Sequence, residues 1–389
     1  MKAIVIGAGV LGSSITYQLA KRGVNVTVVD KGLPGDAASA ASFAWLNSNT
    51  KELRSYHDLN VMSISEWSAI ARELGTDAWL HQTGNLHVVD NAADVEAITA
   101  RIERLNSYGY AAMPIDPKDL TRIDPLIRVR DEYQFGVFFP GEGHITVPLV
   151  VHDLLKAAKA LGAKVLHSTS VSQLIADDSR VSGVQLASGE ALNGDLVIVA
   201  AGAGIGDLLR GQGVDVRTKG TPGITVTTSP GSSNISTMLH LPGLSVRPDT
   251  SGRIVVRSSA ADEQIDFDNW VLPESAVQQL FEQTAAGIAD VDSAAMRAER
   301  VQIASRPYPF DGLPVVGNWD GVPGLYVTTM HSGVTLGAIV GRLAAEEIVT
   351  GKKHALLEGF RPGRVIEAAK NDMSYFDPYA LEGEKHSSR

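Results

Sequence analysis

The stretch Gly7-Ala8-Gly9-Val10-Leu11-Gly12 constrains this chain more than any other feature. It follows the apolar run KAIVI at 2–6 and opens a helical pattern at 10–22, with Leu11, Ile15 and Leu19 on one face. Gly23 stands where a helix commonly ends on glycine, and VNVTVVD at 24–30 reads as a β-branched second strand. A G-x-G-x-x-G turn between strand and helix predicts a βαβ unit built around a dinucleotide's pyrophosphate. Gly7 permits the sharp turn, Gly9 lets the anion reach the backbone, and Gly12 lets helix and strand pack closely. The helix N-terminus adds unpaired N–H groups and about half a positive charge. Asp30 ends the second strand, where an acid accepts hydrogen bonds from a ribose diol and repels a 2′-phosphate. The turn alone does not separate a nicotinamide from a flavin dinucleotide.

Similar patterns return later. Strand–helix patterns of the nucleotide-binding kind appear at 1–42, about 143–210 and 310–350, with strands expected at 163–171, 196–202 and 324–330. Amphipathic helices are expected at 59–74, 148–161, 274–288 and 334–349, and a hairpin around Ser188–Gly189. Between them, 218–300 is rich in strand patterns. The expected fold is α/β: a Rossmann-like dinucleotide-binding domain (1–80, 141–217 and 301–377) interleaved with an antiparallel-sheet α+β substrate domain (81–140 and 218–300). A polar tail, 378–389, is expected to fray.

Composition narrows the chemistry. The chain has no cysteine, which excludes disulfides, thiolate metal sites and a catalytic thiol. His81 and His87 lack partners at ligand spacing, so no metal is expected. Ser39 and Ser42 stand outside any G-x-S-x-G elbow. The net charge of −10 argues against nucleic acid as the main partner. No window approaches the roughly 18 apolar residues of a spanning helix, and the short first apolar run does not read as a secretory signal. No integral membrane segment and a cytoplasmic location are the expectation.

A resemblance then enters on five motifs. Asp30-Lys31 is followed by the small-residue loop Gly35-Asp36-Ala37-Ala38-Ser39-Ala40-Ala41-Ser42. Val171 follows a strand, and Val199-Ala200-Ala201-Gly202-Ala203 ends another. Ser305-Arg306-Pro307-Tyr308-Pro309-Phe310-Asp311-Gly312-Leu313-Pro314-Val315-Val316-Gly317 reads as R-P-x-x-x-D-G-x-P-x-x-G. His331-Ser332-Gly333-Val334-Thr335-Leu336-Gly337 opens the last long helix. In this order, over nearly the whole chain, they resemble the D-amino-acid oxidase, glycine oxidase and sarcosine oxidase family of flavoproteins. The resemblance implies FAD. Negative charge builds on a reduced flavin, and a second glycine turn at a helix N-terminus stabilises it. An NAD-dependent dehydrogenase has no need of that second turn; an NAD-binding or noncatalytic nucleotide-binding module is the competing reading from a different class.

By resemblance the cofactor contacts are Gly7, Gly9, Val10, Leu11, Gly12, Asp30, Lys31, Ala38, Ser39, Ser42, Val171, Ala200, Ala201, Gly202, Gly333, Val334, Thr335 and Leu336. Covalent members of the family use a cysteine, or a histidine near the N-terminal loop. This chain has no cysteine and no histidine in 36–44, so non-covalent FAD is implied. The implied reaction is hydride transfer from an amine-bearing carbon of an amino acid or N-alkyl amino acid to flavin N5. It yields an imine that water hydrolyses, with O2 or a carrier as electron acceptor. The alternative is dehydrogenation of a 2-hydroxy acid. Arg306 is the expected carboxylate anchor, since a planar guanidinium grips a carboxylate with two bonds; the competing reading is an internal pair with Asp311. Asp311 itself reads as a turn former before Gly312. His331 is the second candidate catalytic residue. Arg247, Arg257, His144, Trp45 and Asn47 are further substrate candidates, and Arg253 or Arg257 could supply a positive charge beside the flavin. Oligomeric state is left open, a homo-oligomer included.

Overall fold

The computed structural model describes residues 1–370 except 178–179, 211–212 and 267. The polar tail and the last residues of the expected third cofactor segment lie outside the described residues. Two large sheets organise the rest. The first has six strands in the order Val315–Asn318, Leu325–Thr329, Leu196–Val199, Lys2–Ile6, Asn25–Val29, Lys164–Leu166. All neighbours are parallel except the edge pair Val315–Asn318 with Leu325–Thr329. Parallel strands are covered on both faces, and theirs are nearly continuous runs of Val, Ile and Leu. The first helix, Val10–Lys21, packs on the helices Val147–Ala160 and Gly333–Thr350. A Cβ on Gly341 would lie 2.1 Å from Ser14 Oγ, so that helix crossing depends on glycine.

The second sheet has eight strands in the order Ala298–Pro309, Thr218–Thr228, Ile254–Arg257, Leu244–Pro248, Met238–Leu241, Asn85–Val89, Phe135–Phe139, Met113–Ile115. It is antiparallel with one exception: Met238–Leu241 runs parallel to Asn85–Val89. That pair is the seam where the two separate chain segments join, and no hairpin connects them. The strand Ala298–Pro309 stays in this sheet through Pro309. The sheet therefore runs past residue 301, and Arg306 belongs to it. Its inner face and the helix Glu274–Gly287 enclose their own apolar core around Leu86, Val226, Val246 and Phe281.

Two elements depart from the periodicity. The helix expected at 59–74 begins at Arg54, because buried Asn60 and Ser63 interrupt its apolar stripe. The strand expected at 163–171 breaks into Lys164–Leu166 and Val171–Ala176. Ser168 takes a positive φ of 50° between them, and the Ser168 and Thr169 N–H groups donate to Gly32 O and Asp30 O. That bend carries Val171 over the end of the strand bearing Asp30. Among the described residues no helix is long and apolar enough to cross a membrane.

Candidate functional site

A single elongated cavity of about 2020 Å³ runs from the first glycine turn to the eight-stranded sheet, which roofs it. At one end Gly7 has φ +99°, and a Cβ there would lie 2.4 Å from Ala200 O. Only glycine permits this approach of turn and strand end. Gly12 sits behind the turn; its Cβ would lie 1.8 Å from Gly7 O. Ser39 Oγ accepts from Val10 N–H at 3.1 Å, which lays the small-residue loop on the turn. Asp30 accepts from the Ala8 and Gly32 N–H groups at 2.6 and 2.9 Å. Among the described residues the Gly9 and Leu11 N–H groups meet no acceptor, so the first turn of the helix faces the cavity with donors to spare.

The second glycine turn meets the first. A Cβ on Gly333 would touch Leu11 Cδ1 at 3.4 Å. Thr335 Oγ1 donates to Trp45 O at 3.0 Å and accepts from Asn47 N–H at 3.3 Å, tying that segment to the last long helix. Tyr56 Oη and Ser332 Oγ share a hydrogen bond of 2.6 Å. Thr329 Oγ1, at the end of its strand and on the cavity, is buried and meets no hydrogen-bond partner among the described residues.

Under the roof, Arg306 and Arg257 both reach one carboxylate. Asp262, 2% exposed at its side chain, lies 3.3 Å from Arg306 Nη2 and 3.2 Å from Arg257 Nη2. Its other oxygen accepts from Ile224 N–H at 2.9 Å. The short helix Ser259–Asp262 that carries it is capped by Ser258 Oγ, which accepts from Ala261 N–H. Arg306 lies flat across the neighbouring strand, where a Cβ on Gly223 would meet its Cδ and Nε at 2.8 Å. His331 stacks on Tyr308, ring centres 4.1 Å apart at 19°. Burial first, then the positive charges of Arg306, Lys51 and Arg257, holds His331 neutral far below the usual histidine range.

Of the residues singled out from sequence, Gly7, Gly9, Val10, Leu11, Asp30, Lys31, Ala38, Ser39, Ser42, Val171, Ala200, Ala201, Gly202, Gly333, Val334, Thr335, Trp45, Asn47, Arg257, Arg306 and His331 line this one cavity. Five candidates do not. Arg247 is buried and spends its guanidinium on Phe43 O and Pro248 O, which fixes the loop instead of facing ligand. His144, in the central strand of a three-stranded sheet, stacks on His81 of the neighbouring strand at 4.5 Å and lies outside the cavity lining. Leu336 is fully buried in the apolar core, because the helix turns it away from the cavity. Gly12 packs behind the turn, outside the cavity lining. Arg253 pairs with Glu299 at the edge of the sheet, outside the cavity lining, which leaves only Arg257 of that pair beside the cavity. The internal partner of Arg306 is Asp262; Asp311 pairs with Arg364 and accepts from Leu313 N–H in its turn.

Sequence reading missed Asp262, Gly223 and Glu142. Glu142 is 1% exposed and gathers donors from Trp45, Ser48, Asn49, Asn85 and Tyr110. It fixes the Trp45–Asn49 segment against the roof. No local pattern marks it, since its partners come from three separate stretches. Glu142→Gln turns one acceptor into a donor facing donors, and is expected to lower stability by about 2–4 kcal/mol. Urea unfolding at neutral pH checks this; a loss under about 0.5 kcal/mol, the scale of ordinary surface changes, would remove Glu142 from that role.

Comparison with known proteins agrees with this architecture. A family model described as FAD dependent oxidoreductase, DAO, matches residues 2–347. The glycine oxidase of Geobacillus kaustophilus is 25% identical over 351 residues, covering 88% of this chain and 91% of that one. The D-amino acid dehydrogenase of a Methylobacterium species is 25% identical over 431 residues, covering 95% and 100%. The crystal structure of glycine oxidase from Bacillus cereus superposes with a TM-score of 0.81 at 21% identity, covering 92% of this chain and 97% of that one.

Proposed function

The chain belongs to the DAO family of FAD-dependent oxidoreductases, and from that premise we propose that it oxidises the C–N bond of an amino acid or N-alkyl amino acid. The residues present fit the cofactor. The free Gly9 and Leu11 N–H groups suit a pyrophosphate, Asp30 suits a ribose, and the unpartnered Thr329 hydroxyl lies where the second turn begins. The loop 36–42 carries neither cysteine nor histidine, which supports non-covalent binding. When bound, FAD supplies the hydride acceptor. The protein's part is to bind, orient and keep water out. The same reading divides the chain between the two large sheets, with the last cofactor segment starting near 310 and not at 301.

The observation that carries the proposal is the Arg306–Asp262–Arg257 arrangement under the roof. A guanidinium held by a carboxylate on one edge keeps its other donors in a fixed plane, the geometry a second carboxylate needs. Neutral His331, beside Arg306, can accept or donate one hydrogen bond at the substrate amine without adding charge. Anaerobic mixing of the FAD-loaded protein with glycine, sarcosine, D- and L-amino acids and 2-hydroxy acids tests this. Bleaching of the flavin by amino acids is expected. Bleaching by 2-hydroxy acids alone would replace the proposal with C–OH oxidation.

A further inference from the structure

The cavity extends well past Arg306. In the roof, register sets Arg257 opposite Ser245, Ser245 opposite His240, and His240 opposite His87. Residues directly opposite across a ladder share a face. These four therefore form one row, and all four line the cavity. Three strand spacings put His87 about 14 Å from Arg257. Trp45 covers the row, its ring centre 4.3 Å from that of His240. At the far end the cavity is closed by one face of the helix Ala92–Ser107. Asp94, Ala97, Ile98 and Arg101 follow the i, i+3, i+4, i+7 spacing and line it.

Arg101 is the arginine of this lobe that makes no direct ion pair among the described residues. It is half-buried, and among the described residues its guanidinium has one long hydrogen bond, Nη1 to Asn49 Oδ1 at 3.4 Å. Arg257 and Arg306 share Asp262, and Arg247 is held by carbonyls. Among the described residues Arg101 makes no ion pair within 4 Å; buried Glu142, behind Asn49, and Glu52 and Asp94, on the same lobe, act on it only from a distance. Arg104, bound to Asn49 O, adds positive charge behind it. A half-buried cation whose counter-charges act only from a distance is a costly arrangement that an entering anion in direct contact relieves.

The geometry points to a second anion subsite at Arg101, which receives the distal carboxylate of a dicarboxylic amino acid. Its first carboxylate sits at Arg306 and its carbon chain runs beneath Ser245, His240 and Trp45. This rests on the carboxylate-anchoring role proposed above for Arg306. Arg306 meets the Arg257 end of the row through their shared Asp262, and Arg101 lines the lobe beyond its His87 end, so the ligand must carry several methylenes between its carboxylates. His87 and His240 are neutral, so they offer ring faces to that chain and do not compete as cations.

Equilibrium binding of unreactive acids to the FAD-loaded protein, read by perturbation of flavin absorbance, tests the subsite. Adipate and pimelate are expected to bind roughly ten- to a hundredfold tighter than hexanoate and heptanoate, the worth of one charge-assisted anchor. Arg101→Met is expected to erase that preference, and Arg101→Lys to keep part of it. Retention of the flavin spectrum and the thermal midpoint shows that the variants are folded. Should Arg101→Met fail this check, Arg101→Lys and Arg101→Gln carry the comparison. Equal binding of the one- and two-carboxylate acids by the wild type, or an unchanged preference in the variants, would overturn the subsite. The two readings fail separately. Dicarboxylate preference without flavin reduction by any amino acid would sink the reaction and leave the subsite standing.

Discussion

Arg306→Ala is expected to lower kcat/KM for the amino-acid substrate by about 30- to 5,000-fold, with the flavin spectrum unchanged. The range follows from the 2–5 kcal/mol lost when one partner of a buried charge pair is truncated, at 1.36 kcal/mol per tenfold. The physical reason is the shared carboxylate. Asp262 fixes the Arg306 fork from behind, so the side chain arrives at substrate already oriented. Arg306→Lys keeps a charge and loses the fork, and is expected to recover only part of the loss. Gly223→Ala probes the same point without touching a charge. Its new Cβ would stand 2.8 Å from Arg306 Cδ and must push the side chain aside. A raised KM for carboxylate substrates is the expected signature. Steady-state kinetics with an amino acid and its amide measure both. If Arg306→Ala penalises the amide as much as the acid, Arg306 is not the carboxylate anchor.

Acid is expected to unfold this protein steeply. His87, His144, His240 and His331 are all held neutral, chiefly by burial: His144 is pushed down to about 2, His240 to about 3, and the other two well below their usual value. Nearby cations add to this, Arg247 at His144, Arg257 and Arg101 at His240. The unfolded chain binds protons at these side chains below about pH 6.5, and the folded chain does not. Unfolded protein therefore carries more protons, and stability falls as pH falls. The contribution is fully present above about pH 6.5. It is lost downward towards pH 3 for His240 and pH 2 for His144. Each histidine adds about 1.4 kcal/mol per pH unit, so four approach about 5 kcal/mol per unit. That is comparable with the whole stability of an ordinary domain. Urea midpoints measured between pH 7 and pH 5 check the slope. His144→Asn is expected to make it shallower by about one proton. A wild-type slope below one proton would show that these rings are not kept neutral by the fold.

How far the sequence could be read differs from place to place. The glycine turn was legible because Gly7, Gly9 and Gly12 act through their own backbone, and local spacing is enough to see it. The second turn at 331–337 was legible through resemblance, and the structure places it against Leu11. Arg247 and His144 were misplaced because strand alternation cannot say which face of a sheet meets a cavity. The structure turns Arg247 onto the Phe43 carbonyl and His144 onto His81. Asp262 and Glu142 were invisible, since nothing near either residue states that its partners will arrive from distant strands. Arg101 sits in a visible helical pattern, but its want of a direct ion pair among the described residues is a fact about its neighbours in space.

The amino-acid sequence by itself determined the βαβ start, the dinucleotide chemistry, the absence of thiol chemistry and the alternation of strand-helix with strand-rich segments. All of these follow from short-range rules of backbone conformation and periodicity. Tertiary structure alone decided which charges share a carboxylate, which makes no direct ion pair among the described residues, and which side chains form the row from Arg257 to His87. Those depend on strand register between segments far apart in the chain. Register is set by the packing of two cores and a parallel seam that no local pattern encodes.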